Sequence, residues 1–512
     1  MNGAESLVRT LVGAGVDTCF ANPGTSEMHF VSALDRVDGM RSILVLHETV
    51  ATGAADGYWR MADRPAANLL HLGPGLANGL SNIHNARKAA SGMLNIIGEH
   101  ASWHLKYDAP LASDIEGIAR PLSDWVKTSL GSQAIGADAA QAVIEARQSR
   151  IASLILPGDT AWEEGGAVAD ALAMPTVAGF DEKSIEAAVR ALRSGESTML
   201  IIGGRAIRGK ALEIAGRIAG KTGAVLATQF FSSRIERGAG RVPTFRIPYF
   251  VDSALGALKD FKHIVTIETK EPVSFFAYPN KPSQIKAEGT QVHQVCNPGG
   301  DGLAALEALA EAVGAKASDA PHQERTETAL PSGALNQQTI AHILSALIPE
   351  NAIVVDESVT TGRESFGLTA GAAPHDWLQN MGGSIGFGLP VATGAAIGAP
   401  GRRVISLSGD GCAMYTLQSL WTQAREGLDV TTLVFSNRAY QILRVEFAGV
   451  GAGAPGEKAS AMMTLDNPPL DFLALARGLG VPGTRVSDCG ELIAALKRVL
   501  RQPGPHLIDV TL

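Results

Sequence analysis

The chain has 512 residues, of which 46% are hydrophobic and 18% charged, and carries a formal net charge of −8; that is too long for one hydrophobic core and predicts two to four domains. The acidic balance excludes a phosphate-backbone binder, and no run of about 18 apolar residues is present, so neither nucleic acid nor a membrane is an expected partner. Four scattered cysteines (Cys19, Cys296, Cys412, Cys489) without a CxxC pair, and an N-terminus broken by Glu5 and Asp17, point to a cytoplasmic protein.

In chain order, helical spacing at Leu7, Val8, Leu11 and Val12 gives way to a strand at Thr18–Phe20 and the turn Asn22-Pro23-Gly24. The apolar run Ile43–Leu46, a helix from about Thr49, and strands at Ala67–His71 and Met93–Ile97 follow. Such alternation predicts a doubly wound parallel sheet, the first unit covering residues 1–165. After a mixed stretch at Thr160–Ser184, a second unit (185–315) has a strand at Met199–Ile202, a helical pattern through Ile218, and strands at Ala224–Thr228 and His263–Ile267. Gly203-Gly204 lacks the G-x-G-x-x-G spacing and reads either as a dinucleotide turn or as a helix-packing turn. The polar stretch Lys316–Gly333 reads as a linker to a third α/β unit, 335–512. Its strands are Ala352–Val355, Val404–Ser408 and Val430–Phe435, with a glycine-rich passage at Gly382–Gly398. The fold class is therefore α/β with three doubly wound parallel-sheet domains.

The third unit holds the sharpest chemical signal, Gly409-Asp410-Gly411 at a strand end. A helix with Leu417, Leu420, Trp421 and Ala424 on one face follows, Gly427 ends it, and the next strand runs into Asn437. Glycines let the backbone approach phosphate oxygens, and a new helix presents N–H groups to an anion. Asp410, the amide oxygen of Asn437 and a carbonyl near Ala439 form an oxygen set for Mg²⁺ bridged to a diphosphate. A lone Gly-Asp-Gly is usually an ordinary turn; the strand–GDG–helix–strand–Asn order is far more specific.

Asp410 and Asn437, 27 positions apart, resemble the thiamine diphosphate (ThDP) signature, and the likeness to pyruvate-oxidase-like ThDP enzymes spans essentially the whole chain. Among these, Gly409–Tyr415, Trp421, Tyr440–Arg444 and Phe447–Val450 resemble benzoylformate decarboxylase, while Gly73-Pro74-Gly75 is similar to an acetolactate synthase loop. The resemblance implies a pyrimidine-binding, a central and a diphosphate-binding domain, with ThDP and Mg²⁺ as cofactors. It asks for a glutamate against the cofactor's pyrimidine, and Glu48 in His47-Glu48-Thr49 meets it; by itself the residue reads as a solvated strand end. Burial would let this carboxyl share a proton with the ring. Ile385 matches the aliphatic wedge under the cofactor, and Gly383 the carbonyl against the aminopyrimidine. Glu357, Ser358 and Thr360 are implied near the phosphates, with Cys412 and Tyr440 also among the cofactor-binding residues.

For the substrate, the resemblance implies Thr25 as a hydrogen-bond donor to a carboxylate, with an N-cap as the plainer reading. His71 corresponds to a catalytic histidine that returns a proton after CO₂ leaves, against a purely structural role. Asn22, Phe276, Leu443 and Phe447 complete the implied pocket. Two departures stand out. Phe276 or Ala277 occupies the place of a second histidine, and a one-residue shift puts Glu446 where an aromatic is expected. The expected activity is non-oxidative decarboxylation of a 2-oxo acid. The alternatives are carboligation of the acetolactate synthase type and, remotely, a silent ThDP-binding protein. A flavin in the central unit has no support in the residues. A homodimer or homotetramer is implied, with active sites between subunits, and Ala448–Met463 reads as a candidate lid.

Overall fold

The structure is a computed structural model and describes residues 1–175 and 179–512; positions 176–178, inside the mixed Thr160–Ser184 stretch, lie outside the described residues. The strands of the first sheet are β1 (Thr18–Ala21), β2 (Arg41–Leu44), β3 (Ala67–Leu70), β4 (Met93–Glu99), β5 (Trp125–Thr128) and β6 (Ile151–Pro157). They are all parallel, in the order β2-β1-β3-β4-β6-β5. β3, β4 and β6 are buried along their whole length, which is why they read as apolar runs without alternation.

Downstream lie β7 (Thr198–Ile202), β8 (Val225–Thr228), β9 (Ile235–Arg237), β10 (Phe245–Arg246), β11 (His263–Ile267) and β12 (Gln291–Cys296). Five of them form a parallel sheet ordered β10-β8-β7-β11-β12. At its switch point, between β7 and β11, the buried carboxylate of Glu268 fills the crevice beside Gly203-Gly204. Its Oε2 accepts the Arg205 N–H at 2.6 Å, and burial pushes its pKa up against these bonds. An internal carboxylate thus holds the N–H groups that a nucleotide phosphate would take, which favours the packing-turn reading of the two glycines.

The third sheet contains β13 (Ile353–Glu357), β14 (His375–Gln379), β15 (Val404–Gly409), β16 (Val430–Ser436), β17 (Gly483–Val486) and β18 (His506–Thr511). Its order is β17-β18-β16-β15-β13-β14-β9. β9, from the stretch read as the central unit, is the one antiparallel member, with Trp377 opposite Ile235. The switch point lies between β13 and β15, so Glu357 and Gly409 end side by side. Ligands sit at such crevices in open α/β sheets.

The first and third units are locked by helices Glu48–Ala62 and Gly388–Gly398. A Cβ on Gly57 would fall 2.1 Å from the Val391 carbonyl oxygen, and one on Gly394 would fall 1.8 Å from that of Ala54. Only glycine permits this crossing. Beside it, the buried Arg60 pairs with Asp56 at 2.7 Å and donates to the carbonyls of Ser233 and Gln379 at 2.9 and 2.7 Å. Among the described residues no helix is long and apolar enough to cross a membrane.

Candidate active site

Glu48 is the first residue of its helix, capped by the His47 ring, and is 7% exposed. Asn78 Nδ2 donates to Glu48 Oε2 at 3.0 Å. The other oxygen faces Gly75, where a Cβ would come within 3.0 Å of it and 3.3 Å of the His71 Cβ. His71 leaves the end of β3, and its Nδ1 lies 2.8 Å from Oε2 of Glu27. That acid is fully buried, and the Gly24 N–H donates to the same oxygen at 2.7 Å. Burial pushes the Glu27 carboxyl up, against the pull of His71 and the Gly24 N–H. Its Oε1 is buried without a hydrogen-bond partner among the described residues, over Gly98.

Glu27 is a site residue that no local motif marks in the sequence. The parallel register of β1 with β3, Ala21 opposite Leu69, carries the 22–27 segment onto His71. That adjacency was the signal available. Thr25 starts the short 3₁₀ turn Thr25–Glu27 and is exposed. The Asn22 N–H reaches the Leu69 carbonyl at 3.4 Å.

A separate cleft of about 930 Å³ opens between the central and third units. Gly383 and Ile385 form its floor with Glu357 and Ser358. Tyr440, Leu443 and Phe447, from the start of helix Gln441–Gly449, line the cleft, as does Phe276, 47% exposed. Gly383 has φ +77°, and a Cβ there would meet the Phe275 ring at 2.6 Å. The Glu357 carboxylate accepts N–H bonds from Phe387 and Gly388, both 2.8 Å, which anchors the glycine passage. Burial pushes its pKa up to about 7, although these bonds act the other way. The Ser358 hydroxyl is turned back onto Asp356, and Thr360 lies half-buried outside the cleft lining. The 448–463 stretch holds a helix at Glu457–Ala461, and Ala459, Met462 and Met463 line the cleft rim.

At the adjacent strand ends, β15 and β16 run in register with Gly409 opposite Phe435. Asp410 is buried; its two oxygens accept N–H bonds from Gly411 at 2.8 Å and Arg438 at 2.6 Å. Burial raises its pKa against those bonds. Asn437 Oδ1 accepts the Ala439 N–H at 3.0 Å. The helix expected after Asp410 is split into Asp410–Ala413 and Ser419–Arg425. One carboxylate, one amide oxygen and nearby carbonyls make an all-oxygen set suited to a hard cation that keeps phosphate oxygens as its remaining ligands. A Cβ at Gly411 would strike the Tyr440 ring at 2.3 Å, so only glycine brings these strand ends together. Cys412 is buried just beyond.

Two family profiles match, the thiamine pyrophosphate enzyme N-terminal TPP binding domain over residues 1–118 and the C-terminal TPP binding domain over residues 366–510. A relative from Mycobacterium tuberculosis, provisionally named acetolactate synthase large subunit IlvX, is 50% identical over 100% of this chain and 99% of its own.

The chain belongs to the thiamine pyrophosphate enzyme family.

Benzoylformate decarboxylase of Pseudomonas aeruginosa is 30% identical over 97% of this chain and 96% of its own length. The solved ThDP-dependent 4-hydroxybenzoylformate decarboxylase of Rhodococcus jostii RHA1 superposes with a TM-score of 0.85 at 24% identity, covering 100% of this chain and 99% of that one. That likeness shows the fold. The protein is therefore a ThDP-dependent enzyme of the acetolactate synthase and benzoylformate decarboxylase family.

Proposed function

We propose that the protein cleaves, non-oxidatively, the bond next to the carbonyl of a 2-oxo acid, with ThDP and Mg²⁺ at a site shared by two copies of the chain. The likeness to acetolactate synthase and benzoylformate decarboxylase supports the reaction, and one observation carries the shared site: neither Glu48, His71, Thr25 nor Asn22 lines the cleft that contains Gly383, Ile385 and Leu443. Each half lacks what the other holds, so a second copy would supply it.

When bound, ThDP supplies an electron sink for the pair left by departing CO₂. Asp410, Asn437 and the Ala439 carbonyl would hold Mg²⁺, and Gly409 and Gly411 let the backbone meet the diphosphate, with Cys412 and Tyr440 packed beside them. Ile385 would fix the cofactor's bend, and the Gly383 carbonyl its aminopyrimidine. Glu357 contributes indirectly, by clamping the loop that carries both residues. Glu48 would exchange a proton with the pyrimidine nitrogen, held in position by Asn78. His71 is bonded to Glu27 through Nδ1, so Nε2 is the atom left to give a proton to the substrate carbon. The Thr25 hydroxyl would bind the substrate carboxylate beside it.

A second reading, carboligation to another carbonyl compound, is favoured by Phe276, which puts a ring rather than a proton donor on the cleft wall. The test is CO₂ release from pyruvate, benzoylformate and branched 2-oxo acids with and without ThDP and Mg²⁺. A free aldehyde is expected. A 2-hydroxy ketone would transfer the protein to the carboligases, and no cofactor-dependent CO₂ from any of them would refute the substrate class.

A further inference from the structure

The cleft carries positive charge that the chemistry above does not use. Arg246 on β10 and Arg363, just beyond the Glu357–Thr361 turn, both line it. The Arg246 guanidinium lies 3.8 Å from the centroid of the Phe230 ring and 4.5 Å from that of Phe366. That of Arg363 lies 4.5 Å from Phe250 and 5.5 Å from Tyr249. Phe230 and Tyr249 touch at 5.2 Å between centroids, so one aromatic frame fixes both cations.

Other arginines of the same segment are neutralised: Arg234 pairs with Asp376 at 2.9 Å and Arg241 with Glu236 at 3.4 Å. Among the described residues, no carboxylate forms an ion pair with Arg246 or Arg363, and Arg246 Nε is buried without a partner. Three acids act on them from a distance, Asp356 on Arg246 and Glu446 and Glu364 on Arg363. Asp356 accepts from the Ser358 N–H at 3.1 Å and the Trp377 indole at 3.2 Å, and Oε2 of Glu446 accepts from the Tyr278 hydroxyl at 2.9 Å. Glu446 Oε1 is buried without a hydrogen-bond partner among the described residues and forms no ion pair with either arginine. Behind them the buried Arg237, stacked 3.9 Å from the Phe366 centroid, adds a third cation. Burial, with Arg363 as a like charge, lowers Arg246 to about 10, which leaves it charged at neutral pH.

Burying cations without a counter-charge is unfavourable, and an arriving anion relieves the cost through charge-assisted bonds from planar guanidinium forks. We propose that Arg246 and Arg363 form an anion-binding subsite that takes a substrate carboxylate other than the one lost as CO₂. It is supplied either by the far end of a 2-oxo diacid or by a second 2-oxo acid acting as acceptor. This rests on the 2-oxo acid reading above, and the test separates the two.

Enzyme loaded with ThDP and Mg²⁺ is assayed with 2-oxoglutarate against 2-oxopentanoate as sole substrate, and with glyoxylate against acetaldehyde as acceptor alongside pyruvate. In Arg246→Gln and Arg363→Gln, kcat/KM for the compound with the extra carboxylate should fall about 10- to 100-fold relative to its neutral analogue. The arm in which this ratio falls names the source. Arg246 is wedged between two rings, so Arg363→Gln at the rim decides the matter if the first variant fails to fold. Calorimetric titration with glutarate, a diacid with no reactive carbonyl, gives a readout without turnover, and both variants should weaken it. Equal losses for charged and neutral compounds, or loss of ThDP affinity with glutarate binding intact, would overturn the subsite. If the wild type turns over no 2-oxo acid, the proposed function fails and the glutarate titration alone judges the subsite. Binding weakened by both variants supports it, and no binding overturns it.

Discussion

Three glutamates meet three different fates here, decided by what surrounds each carboxyl. Glu48 opens a helix beside Asn78 and Gly75, with one oxygen bonded and the other facing the His71 side. Glu48→Gln should lower kcat about 10²- to 10⁴-fold with ThDP binding nearly retained, measured by turnover and cofactor titration. Activity at the wild-type level would remove Glu48 from the chemistry. The resemblance implies Glu357 near the phosphates. In the structure it serves the orphan N–H groups at the start of helix Gly388–Gly398. Its pKa of about 7 lies above the ordinary 4.5, so its neutral form stabilises the fold below pH 4.5 and that contribution is lost as pH rises through 7. The stability gap between wild type and Glu357→Gln should therefore shrink from pH 5 to pH 8, by on the order of 3 kcal/mol, in melts run across that window. A gap that widens with pH would contradict the burial argument. Glu27 was not legible, because its partner His71 is 44 residues away and only strand adjacency joins them.

At the scale of elements, apolar runs made most strands readable to within a residue or two, since parallel strands buried on both faces have no polar alternation to blur them. The misses have several causes, and the apolar strand β6 (Ile151–Pro157) and the strands β5, β12, β17 and β18 are also absent from the expectations. β14 carries His375, Asp376 and Gln379, polar residues whose burial rests on partners elsewhere in the chain, such as Arg234 and Arg402 for Asp376. β9 has three residues and β10 two, too short for any periodicity. The apolar face predicts a continuous helix after Asp410; in the structure turns at Met414–Gln418 interrupt it. The glycines of helix Glu48–Ala62 have a physical reason that appears only against the facing helix. Gly57→Ala should cost about 1–3 kcal/mol in a denaturant titration, because the added methyl lands on a backbone carbonyl that cannot yield. An unchanged midpoint would mean that the crossing is looser than this geometry.

For the whole molecule, the division into three α/β units and the Gly-Asp-Gly turn at a strand end were legible because apolar strand runs and glycine turns are written locally. The aromatic frame around Arg246 and Arg363 was not, because it is assembled from three separated stretches of chain. Large apolar side chains remain exposed on the first and third units, including Trp103 at 60% and Tyr107 at 64% on the first and Tyr415 at 55% and Met462 at 80% on the third. Apolar exposure of this kind marks surfaces that associate. Light scattering should find a dimer or tetramer, and a stable active monomer would contradict the shared site. The most direct test mixes inactive Glu48→Gln subunits with inactive Asp410→Asn subunits, dissociates and reassembles them, and assays ThDP-dependent CO₂ release. Random pairing gives one intact site in half of the dimers, so about one quarter of wild-type activity should return. No recovery, with mixed dimers demonstrably formed, would mean that Glu48 and Asp410 do not serve one site across two copies.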